Sequence, residues 1–192
     1  MLENLNKFHV VLASKSPRRQ QLLAELGIQF EVELIEVEEV FPNNLPINEV
    51  PEYLAKLKAQ AFQNQLSEND LIITSDTIVT INNEVLGKPA NYNEGFEMLM
   101  KLSGKGHQVA TGVYLLSKNK QVAFTSITDV FFKTLTSEEI DYYLTKYQPY
   151  DKAGAYGIQE WIGHIGVERI VGSYFNVMGL PIQRLYSELC LF

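Results

Sequence analysis

Cysteine is almost absent from this 192-residue chain: Cys190 stands alone. No internal disulfide can form, and no thiolate cluster can bind zinc. Its neighbours Leu189, Leu191 and Phe192 predict a packed thiol rather than a reactive one. Basic charge is scarce as well. The 16 Lys and Arg are outnumbered by 23 Asp and Glu, for a formal net charge of −7. That balance argues against a duplex nucleic-acid binder, whose affinity comes from clustered cations on phosphates. It leaves room for a small phosphorylated ligand, which needs only a few cations in one place. No apolar run approaches the roughly 20 residues that span a bilayer. The opening M-L-E-N-L-N-K lacks the charged-then-apolar order of a signal peptide. Both features read as a cytoplasmic protein with no membrane segment. There is no Walker loop and no G-x-S-x-G elbow, and His9, His107 and His164 share no metal-ligand spacing.

What is present is an ordinary globular composition, 46% hydrophobic and 20% charged. Residues 1–192 read as a single domain, or two lobes sharing one core. His9 to Ala13 predicts a strand, and Ser16-Pro17 opens a helix that stops at Gly27. Phe30 to Ile35 predicts a strand and Pro51 to Gln65 a helix. Leu71 to Val79 reads as a buried strand, followed by a turn at Asn82-Asn83 and a return over Glu84 to Leu86. A helix over Asn93 to Leu102 ends at Gly104, and Val109 to Leu116 pairs with Gln121 to Phe132 as a long hairpin. Ser137 is expected to cap a helix over Glu138 to Lys146. Asp151 to Gly157 reads as a glycine-rich loop, Val167 to Val171 as a strand and Pro181 as the start of the closing helix. Strands and helices mixed in this way imply an α/β fold with a long mixed sheet.

Five features carry chemistry. In L-A-S-K-S-P-R-R a strand runs into a helix whose first turn holds Arg18 and Arg19. Cations at that end oppose the helix dipole, which makes sense if the turn grips an anion, with Ser14 and Ser16 adding hydroxyls. Asp76 sits inside an apolar β run and must meet a cation, a metal or strong donors. Asp129 poses the same question and reads as structural. Lys58 shares the apolar stripe of its helix with Leu54, so it either serves a charge partner or snorkels to solvent; Lys88, in G-K-P, reads equally as a cleft residue or a surface turn. The acidic run Glu36, Glu38 and Glu39 reads as a solvated face or as ligands for a hard divalent cation. In D-K-A-G-A-Y-G-I-Q the glycines permit close approach, and the Gln159 amide can donate and accept along a base edge. Together these residues describe a nucleotide site.

L-A-S-K-S-P-R-R, S-D-T-I-V, G-K-P, S-G-K-G-H-Q-V, D-K-A-G-A-Y-G-I-Q and G-S-Y-F-N-V-M-G-L-P, in that order, closely resemble the Maf family of nucleotide pyrophosphatases. That family is related in fold to inosine triphosphatase-like enzymes. The resemblance implies a mixed sheet with two lobes around a central cleft, a homodimer, and hydrolysis of nucleoside triphosphates to monophosphate and pyrophosphate with Mg²⁺ or Mn²⁺. It implies Asp76 as proton acceptor, as metal ligand orienting water, or as both, since a carboxylate is a weak base near neutrality. It further implies Arg18, Thr77 and Gln159 as substrate-selecting residues, Ser16, Arg19, Lys58 and Lys88 on the phosphate side, and Glu39 near the metal. The branch acting on dTTP and UTP resembles S-P-R-R, S-D-T and G-I-Q; the branch acting on 7-methyl-GTP carries Trp, Gln and Glu at the selecting positions. The expectation is therefore a dTTP/UTP pyrophosphatase, acting on standard or modified pyrimidine nucleotides, with a pyrophosphatase for 7-methyl-GTP or another non-standard nucleotide, or a non-hydrolysing nucleotide-binding regulator of cell division, as alternatives. Lys15 departs from the family, which has a small residue there.

Overall fold

A computed structural model describes residues 2–192. In chain order the elements are β1 (His9–Leu12), α1 (Pro17–Glu25), β2 (Glu31–Val32), α2 (Val50–Gln60), β3 (Asp70–Ile81), β4 (Glu84–Leu86) and α3 (Tyr92–Leu102). They continue as β5 (Gly106–Leu116), β6 (Gln121–Phe132), α4 (Ser137–Tyr147), α5 (Trp161–Gly166), β7 (Val167–Val171), α6 (Tyr174–Met178) and α7 (Ile182–Cys190). The strands form one seven-stranded sheet in the order β2-β1-β3-β5-β6-β7, with β4 paired to β3. The α/β fold with a long mixed sheet is as expected: β1 runs parallel to β2 and β3, whereas β4 and β7 pair antiparallel.

The chain divides into two compact units. Unit 1 takes the chain up to Asp76, Thr111–Ser126 and Gly179–Phe192; unit 2 takes Thr77–Ala110 and Ile127–Met178. In unit 1, α2 lays Ala55 and Ala59 onto Val11, Ile72, Tyr114 and Leu116. Small side chains let the helix come close, and Gly112 sets the limit: a Cβ there would lie 2.2 Å from the Glu52 backbone nitrogen. In unit 2, α3, α4 and α5 cover Val79, Val109, Val130 and Phe132 with Leu99, Leu102, Ile140, Leu144 and Ile162.

Punctuation in the sequence fixes most boundaries. Ser16 caps α1 with Pro17 as its first residue, and Asn82 and Asn83 both take positive φ in the β3–β4 turn. Several expectations need correction. The strand expected over Phe30 to Ile35 shrinks to Glu31–Val32, because both of its residues are exposed and no buried face rewards a longer pairing. The helix expected to reach Gln65 ends at Gln60 and continues only as a short 3₁₀ turn. Thr136, not Ser137, caps α4, since Thr136 can share a reciprocal capping box with Glu139. The short helices α5 and α6 fall in stretches for which no element was expected, on either side of the expected strand Val167–Val171. Cys190 is exposed rather than packed, because α7 turns Leu185 and Leu189 inward instead.

Candidate active site

The arginine turn belongs to unit 1. Ser16 Oγ accepts the Arg19 N–H at 3.5 Å, and Ser14 Oγ accepts the Ser16 N–H at 3.2 Å. The turn is thus built by its own serines. Arg19 is committed inward: its Nη1 donates to the Ser75 carbonyl at 2.7 Å and its Nε to the Gly179 carbonyl at 2.8 Å. Burial pulls its pKa down, the Asp76 charge pushes it back up, Arg18 lowers it and Glu39 raises it. A guanidinium stays protonated through such shifts. Arg19 therefore supplies a fixed positive charge, with two donors already occupied by backbone. Arg18, half-buried beside it, has its own contacts. Lys15 is exposed and its ammonium lies 3.5 Å from Glu36.

Asp76 lies in β3, buried on nearly every residue. The alternation of a strand puts Thr74 and Asp76 on one face. Thr74 Oγ1 donates to the Ala55 carbonyl at 2.7 Å, which ties α2 to that face. Three residues further along α2, Lys58 reaches Asp76 Oδ1 at 2.6 Å and Glu39 Oε1 at 3.0 Å. Lys58 thus serves charge partners rather than snorkelling outward. Two carboxylates from distant parts of the sequence converge on one ammonium. Mg²⁺ and Mn²⁺ take one or two carboxylates together with substrate oxygens, so Asp76 and Glu39 fit such a cation. Among the described residues no group of three or more His, Cys, Asp or Glu forms a ready-made metal cluster. The remaining ligands would have to come from substrate and water.

Thr77, Lys88 and Gln159 belong to unit 2. Thr77 is half-buried on β3, and Lys88 is exposed just after β4. The Gly87 carbonyl before Lys88 accepts the Gly154 N–H at 3.0 Å, joining its turn to the glycine-rich loop. Gln159 Oε1 is buried with no hydrogen-bond partner. A bare acceptor in that position is costly unless a ligand supplies a donor. Asp129 accepts from Gln108 Nε2 at 2.9 Å.

Sequence reasoning missed the group that holds the loop. Lys152 Nζ pairs with Asp151 Oδ1 at 2.7 Å and with Glu160 Oε1 at 3.2 Å. Tyr143, on α4, donates to Glu160 Oε2 and accepts the Gly157 N–H at 3.0 Å. Burial and the Glu160 carboxylate push the Tyr143 phenol above its ordinary range. The available signal was a lysine inside a glycine-rich, apolar loop, where a buried charge must find a partner.

Comparison with known proteins gives a full-length match. The family model described as Maf-like protein matches residues 9–192. A dTTP/UTP pyrophosphatase of Phocaeicola vulgatus is 55% identical over 190 residues, 98% of each chain. A dTTP/UTP pyrophosphatase of Bacteroides thetaiotaomicron is 52% identical over 190 residues, again 98% of each chain. Among solved structures, the Staphylococcus aureus Ham1 protein superposes with a TM-score of 0.46 at 16% identity, over 65% of this chain and 71% of that one. With the arginine turn, the S-D-T strand and the glycine-rich loop all inside the matched span, the chain belongs to the Maf-like protein family.

Proposed function

We propose that this protein is a nucleoside triphosphate pyrophosphatase that hydrolyses dTTP and UTP to the monophosphate and pyrophosphate. The observation that carries the reading is the near-complete, majority-identical relationship to proteins that bear that name. The site chemistry agrees with it. Water attacks the α-phosphorus, the bond from that phosphorus to the bridging oxygen breaks, and pyrophosphate leaves with the bridging oxygen. Arg18 and Arg19, with Ser14, Ser16, Lys58 and Lys88, act on the phosphate oxygens, where charge grows as the bond breaks. Asp76 orients the water and takes its proton, and Lys58, 2.6 Å from its Oδ1, holds that carboxylate in place. Asp76 and Glu39 would hold Mg²⁺ or Mn²⁺, which neutralises phosphate charge when bound. Arg18, Thr77 and Gln159 select the base, and all of residues 1–192 serve one catalytic domain. The same reading takes the enzyme to be a cytoplasmic homodimer acting on free nucleotides rather than nucleic acid.

The test is pyrophosphate release from dTTP, UTP, CTP, 7-methyl-GTP and ITP with Mg²⁺ or Mn²⁺, for the native protein and Asp76→Ala. The expected result is metal-dependent release from dTTP and UTP that vanishes in the variant and after chelation with EDTA. Release chiefly from 7-methyl-GTP would keep the chemistry and overturn the base assignment. Nucleotide binding without any release would favour a regulator.

A further inference from the structure

Three segments far apart in the sequence close a ring of hydrogen bonds next to Asp76. Arg19 Nη1 donates to the Ser75 carbonyl at 2.7 Å, and its Nε donates to the Gly179 carbonyl at 2.8 Å. Ser75 makes the third side, its hydroxyl donating to the same Gly179 carbonyl at 3.2 Å. Ser75 and Gly179 are buried, and all three residues belong to unit 1. The ring stands where β3 outlasts its neighbour. The Ile73 carbonyl accepts the Ala13 N–H at 2.9 Å, just past the end of β1. Ser75 presents the next carbonyl on that edge, since carbonyls two residues apart along a strand point the same way. By then the chain has left β1 for α1, and Arg19 takes the place of the missing backbone donor. The peptide unit joining Ser75 to Asp76 is planar, so holding the Ser75 oxygen also holds the nitrogen and Cα of Asp76. Gly179 takes φ of 112°, a region that favours glycine, so a side chain there would strain the turn that presents the shared carbonyl.

We propose that Arg19 and Ser75 are positioning residues for Asp76: through the Gly179 carbonyl they lock the strand at Asp76 against the arginine turn, and so set the distance between the water-orienting carboxylate and the phosphate-binding charges. The inference rests on the reading of this protein as a nucleoside triphosphate pyrophosphatase and deepens it. Attack on the α-phosphorus needs water and phosphate held by groups whose separation does not drift. A displacement of about 1 Å can cost on the order of a hundredfold in rate. Asp76 lies on β3 and Arg18 on α1, so no local geometry fixes their separation. The ring supplies the constraint. Arg19 thus acts through its shape as well as its charge. A lysine would keep the charge, but it offers one nitrogen where the guanidinium places two on two separate carbonyls.

Arg19→Lys and Ser75→Ala are compared with the native protein in steady-state hydrolysis of dTTP and in calorimetric titration with pyrophosphate. The stoichiometry of the titration counts folded, binding-competent sites, so kcat is expressed per competent site. The expected result is a fall in kcat of about a hundredfold for Arg19→Lys and about tenfold for Ser75→Ala, with pyrophosphate affinity within about threefold of native in both. Both substitutions open the same ring, so the double variant is expected to lose little more than Arg19→Lys alone. Near-native kcat in Arg19→Lys would show that charge suffices and would overturn the proposal. Losses confined to KM and pyrophosphate affinity overturn it too, as does a lower urea midpoint with kcat per competent site unchanged. If Arg19→Lys fails to fold, Ser75→Ala, which removes only a hydroxyl, decides by the same criterion. Native protein that releases no pyrophosphate from dTTP or UTP refutes the enzymatic reading, and the positioning role falls with it. Native release with both variants unimpaired refutes the positioning role alone.

Discussion

Three side chains show how differently a charge or a polar ring can be spent. Lys58 lies between two carboxylates, neutralising Asp76 and Glu39 together. Lys58→Met is expected to leave two carboxylates facing one another, lowering stability by about 1–2 kcal/mol in urea denaturation and cutting turnover at least tenfold. Asp76→Asn keeps the shape and removes the charge, so turnover should vanish while nucleotide affinity, by calorimetry, stays within about tenfold. His107 belongs to the interior. It is buried, its Nε2 is 2.8 Å from Tyr156 Oη, and its ring stands edge-on to Phe132 and Tyr156. Burial lowers its pKa from 6.5 to about 4. Between those values the unfolded chain binds the proton and the folded protein does not. The contribution of His107 is therefore complete above pH 6.5 and falls away as the pH drops towards about 4. In His107→Phe, urea denaturation at pH 5 and pH 7.5 should show a smaller difference in stability than in the native protein.

At the scale of elements, the sequence is most legible where a boundary has its own chemistry. The start of α1 was readable from Ser16 and Pro17, and the β3–β4 turn from paired asparagines. The α4 boundary was misread by one residue because Thr136 and Ser137 are both competent caps, and only Glu139 three residues after Thr136 decides between them. Thr136→Ala is expected to cost about 1 kcal/mol, measured by thermal or urea unfolding. Helices α5 and α6 went unread because their few residues give no helical period to detect. The close approach of α2 to β5 has no local signature either. Gly112 reads as an isolated glycine in an apolar strand until α2 is seen against it. Gly112→Ala must push the Glu52 backbone away and is expected to destabilise unit 1 by about 3 kcal/mol or more.

For the molecule as a whole, composition told which ligands to discount and motifs told which to expect. Asp76 and the arginine turn stand out from residue type alone, as a carboxylate in an apolar strand and cations at the wrong end of a helix, whereas roles for Thr77, Gln159 and Glu39 are assigned only by the family resemblance. The pairings do not stand out, because Lys58 with Glu39 and Tyr143 with Glu160 are meetings of chain segments that no periodicity encodes. The sheet also ends in a guarded edge. In β7, with Val167, Glu168, Arg169, Ile170 and Val171, an antiparallel pairing of two copies about a twofold axis centred on Glu168 or Arg169 sets like charges opposite each other. Replacing Glu168 and Arg169 by threonine is expected to promote association through this edge, seen as larger species in light scattering.

Unit 1 draws its first strand and its last helix from opposite ends of the sequence, and Arg19 meets the Gly179 carbonyl across 160 positions. Asn4 Nδ2 likewise reaches the Leu189 carbonyl at 2.8 Å. On a ribosome adding about 5–20 residues per second, that partner arrives on the order of ten seconds after the arginine. Throughout that interval the nascent polypeptide carries the arginine turn without its final acceptor and β1 without α7. Competence is thus acquired late and all at once, when the last segment emerges. A translation arrest anywhere upstream of Gly179 yields a product that chaperones and proteases must handle, not a partially active enzyme.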